Sequence, residues 1–291
     1  MVDEYIRASN LDEVLGLLKQ RGDRARIIGG GVTIHDLAFR GLLGDVTTLI
    51  DITPLGLSYV KDNSQFLLIG ASTSYSELLN SDRLKKRPAF GALVDALQAI
   101  RPLQVRNVAT IGGAMCTGIP LLDLPPTAIA MDAKLQLVES GGRRTVAVKD
   151  FFLGYLQTAL KSSELLIELQ IPLPTANTGS AFQKLEINAV DWATLSVVTM
   201  LTLNDGKIAS AKIAMGGGVG EVPVRALEAE AILLNGTPTE DVIRRTAEEA
   251  ANRTKFTDDE RASSDYRRDI ATVFVSESLN KSVTRAKQDR M

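Results

Sequence analysis

The chain has 291 residues, 45% apolar and 23% charged, with 33 basic against 35 acidic side chains and a formal net charge of −2. This is the profile of a globular protein of about two domains. It offers no basic stripe for nucleic acid, no run of about 18 apolar residues to span a membrane and no secretory signal at its start, which leaves the cytoplasm as the expected compartment.

Asn10, followed three residues later by Glu13, predicts the capped start of a helix that carries Leu11, Val14, Leu15 and Leu18 and stops at Gly22. A short strand over Ala25–Ile28 runs into Gly29-Gly30-Gly31, after which a helix or turn is expected. A strand near Thr48–Ile52 follows, then a hairpin of Leu57–Val60 and Phe66–Gly70 turned by residues 61–64. Ser76–Leu79 starts a short helix, and Phe90–Ile100 is a longer one with Leu93, Val94, Leu97 and Ile100 on one face. A second glycine loop, residues 110–114, precedes a hairpin of Ala133–Glu139 and Arg143–Val148. Segments 150–160 and 164–171 close this half.

The stretch from Pro172 to Gly179 is the best domain boundary, with two prolines followed by small and polar residues. The expected division is 1–174, itself in two parts of about 1–55 and 56–174, and then 175–291. The second half opens with a strand at Phe182–Ile187. The apolar run Trp192–Leu203, rich in Thr and Val, predicts one or two strands. A turn at Asn204-Asp205-Gly206 leads into Lys207–Met215, and helices follow over Val224–Leu234, Thr239–Arg253 and Tyr266–Arg285. Mixed strands and helices without a regular βα rhythm indicate an α+β protein.

Two residue counts restrict the chemistry. One cysteine, Cys116, allows neither an internal disulfide nor a cluster held by this chain alone. One histidine, His35, rules out a multi-histidine metal site. The glycine loops are the stronger signal. Glycine lets backbone approach a ligand closely and turn successive N–H groups on an anion, which a diphosphate requires. The loop Gly29-Gly30-Gly31-Val32-Thr33 lacks the third glycine of the dinucleotide fingerprint, so a plain tight turn is the alternative. The loop Thr110-Ile111-Gly112-Gly113-Ala114 is a second, and two such loops can grip the two ends of an extended dinucleotide. Asp123 can accept bonds from sugar hydroxyls or cap a helix. Gly216-Gly217-Gly218 is expected to be structural, and Asp258-Asp259-Glu260 a solvated loop. Lys281, Arg285, Lys287 and Arg290 read as the cationic end of the last helix. Trp192, the only tryptophan, is either a core anchor or a flat partner for an aromatic cofactor.

These motifs, in this order, resemble the medium, FAD-binding subunit of the molybdenum hydroxylases, the family of xanthine dehydrogenase, carbon monoxide dehydrogenase and aldehyde oxidoreductases. RIIGGGVTIHDL resembles its first flavin motif and RNVATIGGAMCTGIPLLDLPP its second. ELLIELQIPLP resembles the end of the flavin domain, SAFQKLE the start of the C-terminal one, and SSDYRRDIA the Tyr-Arg-Arg motif near its end. The resemblance covers essentially the whole chain. It implies an FAD-binding domain of the cresol-methylhydroxylase and vanillyl-oxidase (PCMH) type followed by a smaller α+β domain. It implies non-covalent FAD, with a large molybdopterin cytosine dinucleotide subunit and a small subunit carrying 2Fe–2S clusters as partners. Within the family, the glyceraldehyde-oxidising type is expected over the carbon monoxide type.

Carried over residue by residue, the resemblance places the FAD diphosphate on the N–H groups of Gly29, Gly30, Gly31, Val32 and Thr33 and of Thr110, Ile111, Gly112, Gly113 and Ala114. It places a flavin polyol or ribose on Asp123, and further flavin contacts at Ile100, Leu166 and Lys184. Trp192 stands where the family sets an aromatic residue against the ring. No residue is required as an acid or base, because electron uptake alone moves no proton. Two other readings stay open: a stand-alone flavin oxidase or reductase, whose only tether would be His35, and a scaffold without flavin.

Overall fold

The computed structural model describes residues 2–289; Met1, Arg290 and Met291 lie outside them. The chain opens with β1 (Glu4–Arg7), α1 (Leu11–Arg21), β2 (Ala25–Ile28), α2 (Val32–Phe39) and β3 (Thr48–Asp51). The three strands form a parallel sheet in the order β1-β3-β2, with Ile27 opposite Ile50 and Ile28 opposite Asp51. The Asn10 side chain accepts from the Glu13 N–H, and the Glu13 carboxylate accepts from the Ser9 N–H and hydroxyl. Helix α1 therefore starts where its sequence says, and it buries Val14, Leu15 and Leu18 against Ala25 and Ile50. Strand β2 ends at Ile28, directly before the glycines. Those glycines therefore leave the carboxyl edge of a parallel sheet, the edge at which open α/β sheets bind ligands.

Next come β4 (Val60–Asp62), β5 (Phe66–Gly70), α3 (Tyr75–Asn80), α4 (Asp82–Lys85), α5 (Gly91–Ala99), α6 (Leu103–Val108), α7 (Ile111–Cys116) and α8 (Leu124–Ala130). They are followed by β6 (Lys134–Glu139), β7 (Gly142–Ala147), β8 (Phe152–Gly154), β9 (Gln157–Thr158) and β10 (Leu165–Pro172). Five of these strands make an antiparallel sheet in the order β4-β5-β10-β6-β7, while β8 and β9 pair separately. Leu67, Ile69, Leu135, Leu137 and Leu169 share one core with Leu78, Leu93, Leu97 and Ile129 of the helices. The expected hairpins are present, though the first is shifted: β4 starts at Val60, opposite Ile69. The second glycine loop is no loop. Thr110 is the N-cap of α7, and the glycines form its first turn.

The last part contains β11 (Thr178–Leu185), β12 (Leu195–Asn204), β13 (Lys207–Gly216), β14 (Val224–Arg225), α9 (Leu227–Leu233), α10 (Glu240–Arg253) and α11 (Ser264–Gln288). Its strands lie in the order β11-β12-β13-β14. Helix α11 lies along β11 and β12, where the Thr199 hydroxyl meets those of Ser278 and Ser282 at 2.8 and 2.7 Å. Strand β11 starts earlier than expected, at Thr178, and ends at Leu185. Strand β12 starts later, at Leu195, so Trp192 is not a strand residue. Lys281 and Arg285, near the cationic end of α11, also make a tertiary contact. Both reach Asp95 of α5, at 3.0 and 2.6 Å.

Candidate cofactor site

A cavity of about 710 Å³ opens between the carboxyl edge of the parallel sheet, the α7–α8 region and the segment before β12. Its size is that of sites for a large organic ligand, roughly 300–1,000 Å³. Of the residues expected to bind the cofactor, fourteen line it: Gly29, Gly30, Gly31, Val32, Thr33, Ile100, Thr110, Gly112, Gly113, Ala114, Asp123, Leu166, Lys184 and Trp192. Ile111 does not. It is 1% exposed, and its side chain is part of the core beneath the five-stranded sheet.

The two glycine segments contribute in different ways. Gly31, at φ 74°, is the N-cap of α2, and the first bond of the helix runs from the His35 N–H to the Gly31 carbonyl at 2.8 Å. Among the described residues, no protein acceptor meets the N–H groups of Gly29, Gly30, Gly31, Val32 or Thr33. Five open donors at the positive end of a helix form a ready site for an anion. A Cβ on Gly30 would lie 1.5 Å from the Val108 carbonyl oxygen, so only glycine lets the loop rest against the α6–α7 corner. The second segment, expected to cradle phosphate as well, keeps only its Thr110 N–H without a protein acceptor; its other four donors are spent within the fold. The N–H groups of Ile111, Gly112 and Ala114 go to the carbonyls of Thr73, Ala71 and Thr110, and that of Gly113 to the Thr110 hydroxyl at 3.1 Å. Its contribution is closeness. Gly112 packs on Ala71, and Gly113 presents bare backbone to the cavity.

Opposite these loops stands a buried charge cluster. Asp123 is 5% exposed and starts α8, but its carboxylate caps nothing. One carboxylate oxygen, Oδ2, accepts from Lys184 Nζ at 3.0 Å; the other, Oδ1, is buried without a partner. Burial pushes this carboxyl up to about 6; Lys184 opposes the rise and Glu186 adds to it. Lys184 also donates to the Asp191 carbonyl at 2.9 Å and stands 3.6 Å from Glu186, which pairs with Arg101 at 2.6 Å. The buried phenol of Tyr75 lines the cavity too, and burial together with the Asp123 charge raises its pKa. Tyr75, Glu186 and Arg101 were not expected from the sequence. Only the spacing of Lys184 and Glu186, two apart on an extended strand and so on one face, hinted at such a cluster.

Trp192 is half-buried at the rim, with the Arg40 guanidinium 5.7 Å from its ring centroid. Cys116 lines the wall as a half-buried thiol, and burial pushes its pKa up to about 12, so it is no reactive thiolate at neutral pH. His35 is exposed and is not among the residues that line the cavity. The described residues include no cluster of His, Cys, Asp or Glu fit to hold a metal ion and no helix long and apolar enough to cross a membrane.

The arrangement suits an extended diphosphate ligand. It has open donors for the phosphates, a glycine contact that a Cβ would fill, and an unpartnered buried carboxylate oxygen for hydroxyl donors. Comparison with known proteins points the same way. Residues 1–174 match the family of the FAD binding domain in molybdopterin dehydrogenase. Residues 180–282 match that of the CO dehydrogenase flavoprotein C-terminal domain. The chain is 32% identical over 270 residues to the glyceraldehyde dehydrogenase medium chain of Sulfolobus acidocaldarius, covering 92% of this chain and 94% of that one. It superposes on a chain of carbon monoxide dehydrogenase from Hydrogenophaga pseudoflava with a TM-score of 0.92 at 31% identity, over 98% of both chains. For quinoline 2-oxidoreductase from Pseudomonas putida 86 the TM-score is 0.89 at 25% identity, again over 98% of both.

Proposed function

Because the chain belongs to the family of FAD-binding medium subunits of molybdenum hydroxylases, we propose that it works as an electron relay inside such a complex. It receives electrons from 2Fe–2S clusters on a small partner subunit and gives them to an external acceptor. A large partner subunit with molybdopterin cytosine dinucleotide oxidises the substrate, an aldehyde of the glyceraldehyde kind. The observation that carries the reading is the pairing, across one cavity, of the open donors of residues 29–33 with the free oxygen of Asp123. The single cysteine supports it, since this chain cannot hold a cluster of its own.

Bound FAD supplies a centre that takes up electrons singly or in pairs. The chain's own residues do the holding. The N–H groups of Gly29 to Thr33 bind the diphosphate, and Asp123 Oδ1 accepts from a polyol or ribose hydroxyl. Lys184 keeps that carboxylate oriented and partly neutralised. Ile100 and Leu166 give apolar walls, and Trp192 covers the rim against water. Electron passage requires no acid or base from this chain.

The test compares the isolated chain with the native complex. The FAD-loaded chain alone should stay oxidised when mixed with glyceraldehyde. In the complex, the same aldehyde should bleach the flavin band. Bleaching in the isolated chain would overturn the reading in favour of a stand-alone oxidase or reductase. Failure of the complex to turn over any aldehyde, with turnover of carbon monoxide instead, would overturn the substrate assignment alone.

A further inference from the structure

Three sequence features are not used by the cofactor site: the Gly216-Gly217-Gly218 triplet, the acidic run at 258–260 and Arg267 of the Tyr-Arg-Arg motif. The structure brings them together around one side chain. Arg267 lies in the first turn of α11 and is the largest fully buried side chain among the described residues, at 0% exposed. Its Nε donates to the Thr194 carbonyl at 2.9 Å. Its Nη1 donates to the carbonyls of Thr257 and Ala262, and its Nη2 to Asp259 Oδ1 at 2.6 Å. Gly218 lies flat against it: a Cβ there would stand 2.2 Å from Arg267 Nε. Gly217 leaves the same kind of space for the Ala193 carbonyl, and its N–H donates to the Pro120 carbonyl at 3.1 Å. Asp259 is therefore an anchor rather than a solvated acid, and its Oδ1 also accepts from the N–H groups of Arg261 and Ala262.

Two of these contacts, Arg267 Nε on the Thr194 carbonyl and Gly217 against the Ala193 carbonyl, reach residues 191–194, which belong to no strand or helix and include the cavity-lining Trp192. A cation holds three of their carbonyls: Lys184 takes that of Asp191, Arg261 that of Trp192 at 3.3 Å, and Arg267 that of Thr194. The fourth, that of Ala193, is packed on Gly217. The Ala193 N–H reaches the Leu121 carbonyl at 3.2 Å, two residues from Asp123. Without regular secondary structure, a backbone segment stays in place only as far as such bonds hold it.

We propose that Arg267 is a positioning residue of the cofactor site. Through Thr194 directly, and through the Asp259–Arg261 turn, it fixes the 191–194 wall, and so fixes both Trp192 and the carbonyl that orients Lys184. A planar fork with five donors can bind three carbonyls and a carboxylate at once; a lysine cannot. Arg261 makes a single bond to the wall, and a lysine there can replace it.

The inference rests on FAD occupying the cavity, and the test separates the two. Full-length wild type, Arg267→Lys, Arg261→Ala and Arg261→Lys are titrated with FAD at a temperature where far-UV circular dichroism shows each to be folded. Emission of the sole tryptophan is recorded in parallel. Wild type that takes up no FAD sinks the cofactor reading itself. If wild type binds, Arg267→Lys and Arg261→Ala should each shift the Trp192 emission of the apo chain and raise the FAD dissociation constant, by about tenfold for Arg267→Lys. Arg261→Lys should restore both values. A purely structural role predicts a lower melting temperature with wild-type emission and affinity, and that result overturns the inference. Should Arg267→Lys not fold, the Arg261 pair decides: wild-type emission and affinity in Arg261→Ala overturn it.

Discussion

Asp123 shows at the scale of one residue how burial and function are linked. Its carboxyl lies near 6 in the folded chain against an ordinary 3.8, because burial outweighs the help of Lys184. Between pH about 4 and about 6 the folded chain therefore keeps a proton that the unfolded chain has lost. Stability contributed by that proton is present below this window and is lost as the pH rises through it. Asp51, Asp95, Glu164 and Asp259 are held below their ordinary values and act in the opposite sense, losing their contribution only as the pH falls further. Urea titrations of the apo chain across this window should show Asp123→Asn gaining on wild type as the pH rises. Parallel pH curves for the two proteins would show that Asp123 does not titrate there. An Asp at the head of a helix is legible from sequence as a cap or a ligand. Its lack of a cap bond is not, because the deciding partner, Lys184, lies 61 residues away.

The elements of the site divide by how far local sequence determines them. The path from β2 through the glycines to α2 is legible, since an apolar strand, a glycine run and a helical repeat follow within fifteen residues. Helices α6, α7 and α8 are not. Each has six or seven residues, fewer than two turns of apolar periodicity, and α8 begins on two prolines that also read as a loop. The Thr110 cap and the carbonyls of Ala71, Thr73 and Thr110 take the four donors of residues 111–114, so the two segments should respond differently to substitution. Gly30→Ala must push the loop off Val108 and should destabilise the fold by about 1–3 kcal/mol, with loss of FAD. Gly113 meets only the Thr110 hydroxyl, at 3.1 Å. Gly113→Val should therefore leave the chain folded while blocking cofactor approach. Normal flavin content in folded Gly113→Val would take α7 out of the cofactor contact.

At the scale of the whole molecule, the C-terminal sheet is fixed to the rest of the chain by polar contacts that no short-range pattern in the sequence announces. The Ser180 hydroxyl, fully buried on β11, donates to the Ala89 carbonyl at 2.7 Å and accepts from the Ala92 N–H at 2.8 Å. Asp132, at the end of α8, takes both Lys212 and Arg225 from the C-terminal sheet. Asp95 on α5 accepts from Arg285 through both oxygens, at 2.6 and 2.8 Å, and from Lys281. The last pair sits in a tight place, since a Cβ on Gly91 would lie 2.6 Å from the Arg285 guanidinium. Asp123 and Lys184 form a fourth such link, inside the cavity itself. The cavity wall thus depends on both parts staying docked, so cofactor binding and docking should rise and fall together. Removing one partner of a buried ion pair costs roughly 3–5 kcal/mol, but Arg285 keeps 21% of its side chain exposed, so about 2 kcal/mol is expected for Asp95→Ala. Calorimetry of wild type should show one cooperative transition that FAD raises as a whole. In Asp95→Ala that transition should broaden or split, and FAD should raise only the component that includes the docked wall. An unchanged single transition in Asp95→Ala would mean that the Asp95 pairs do not hold the two parts together and that the remaining links and the packing of α5 on β11 suffice.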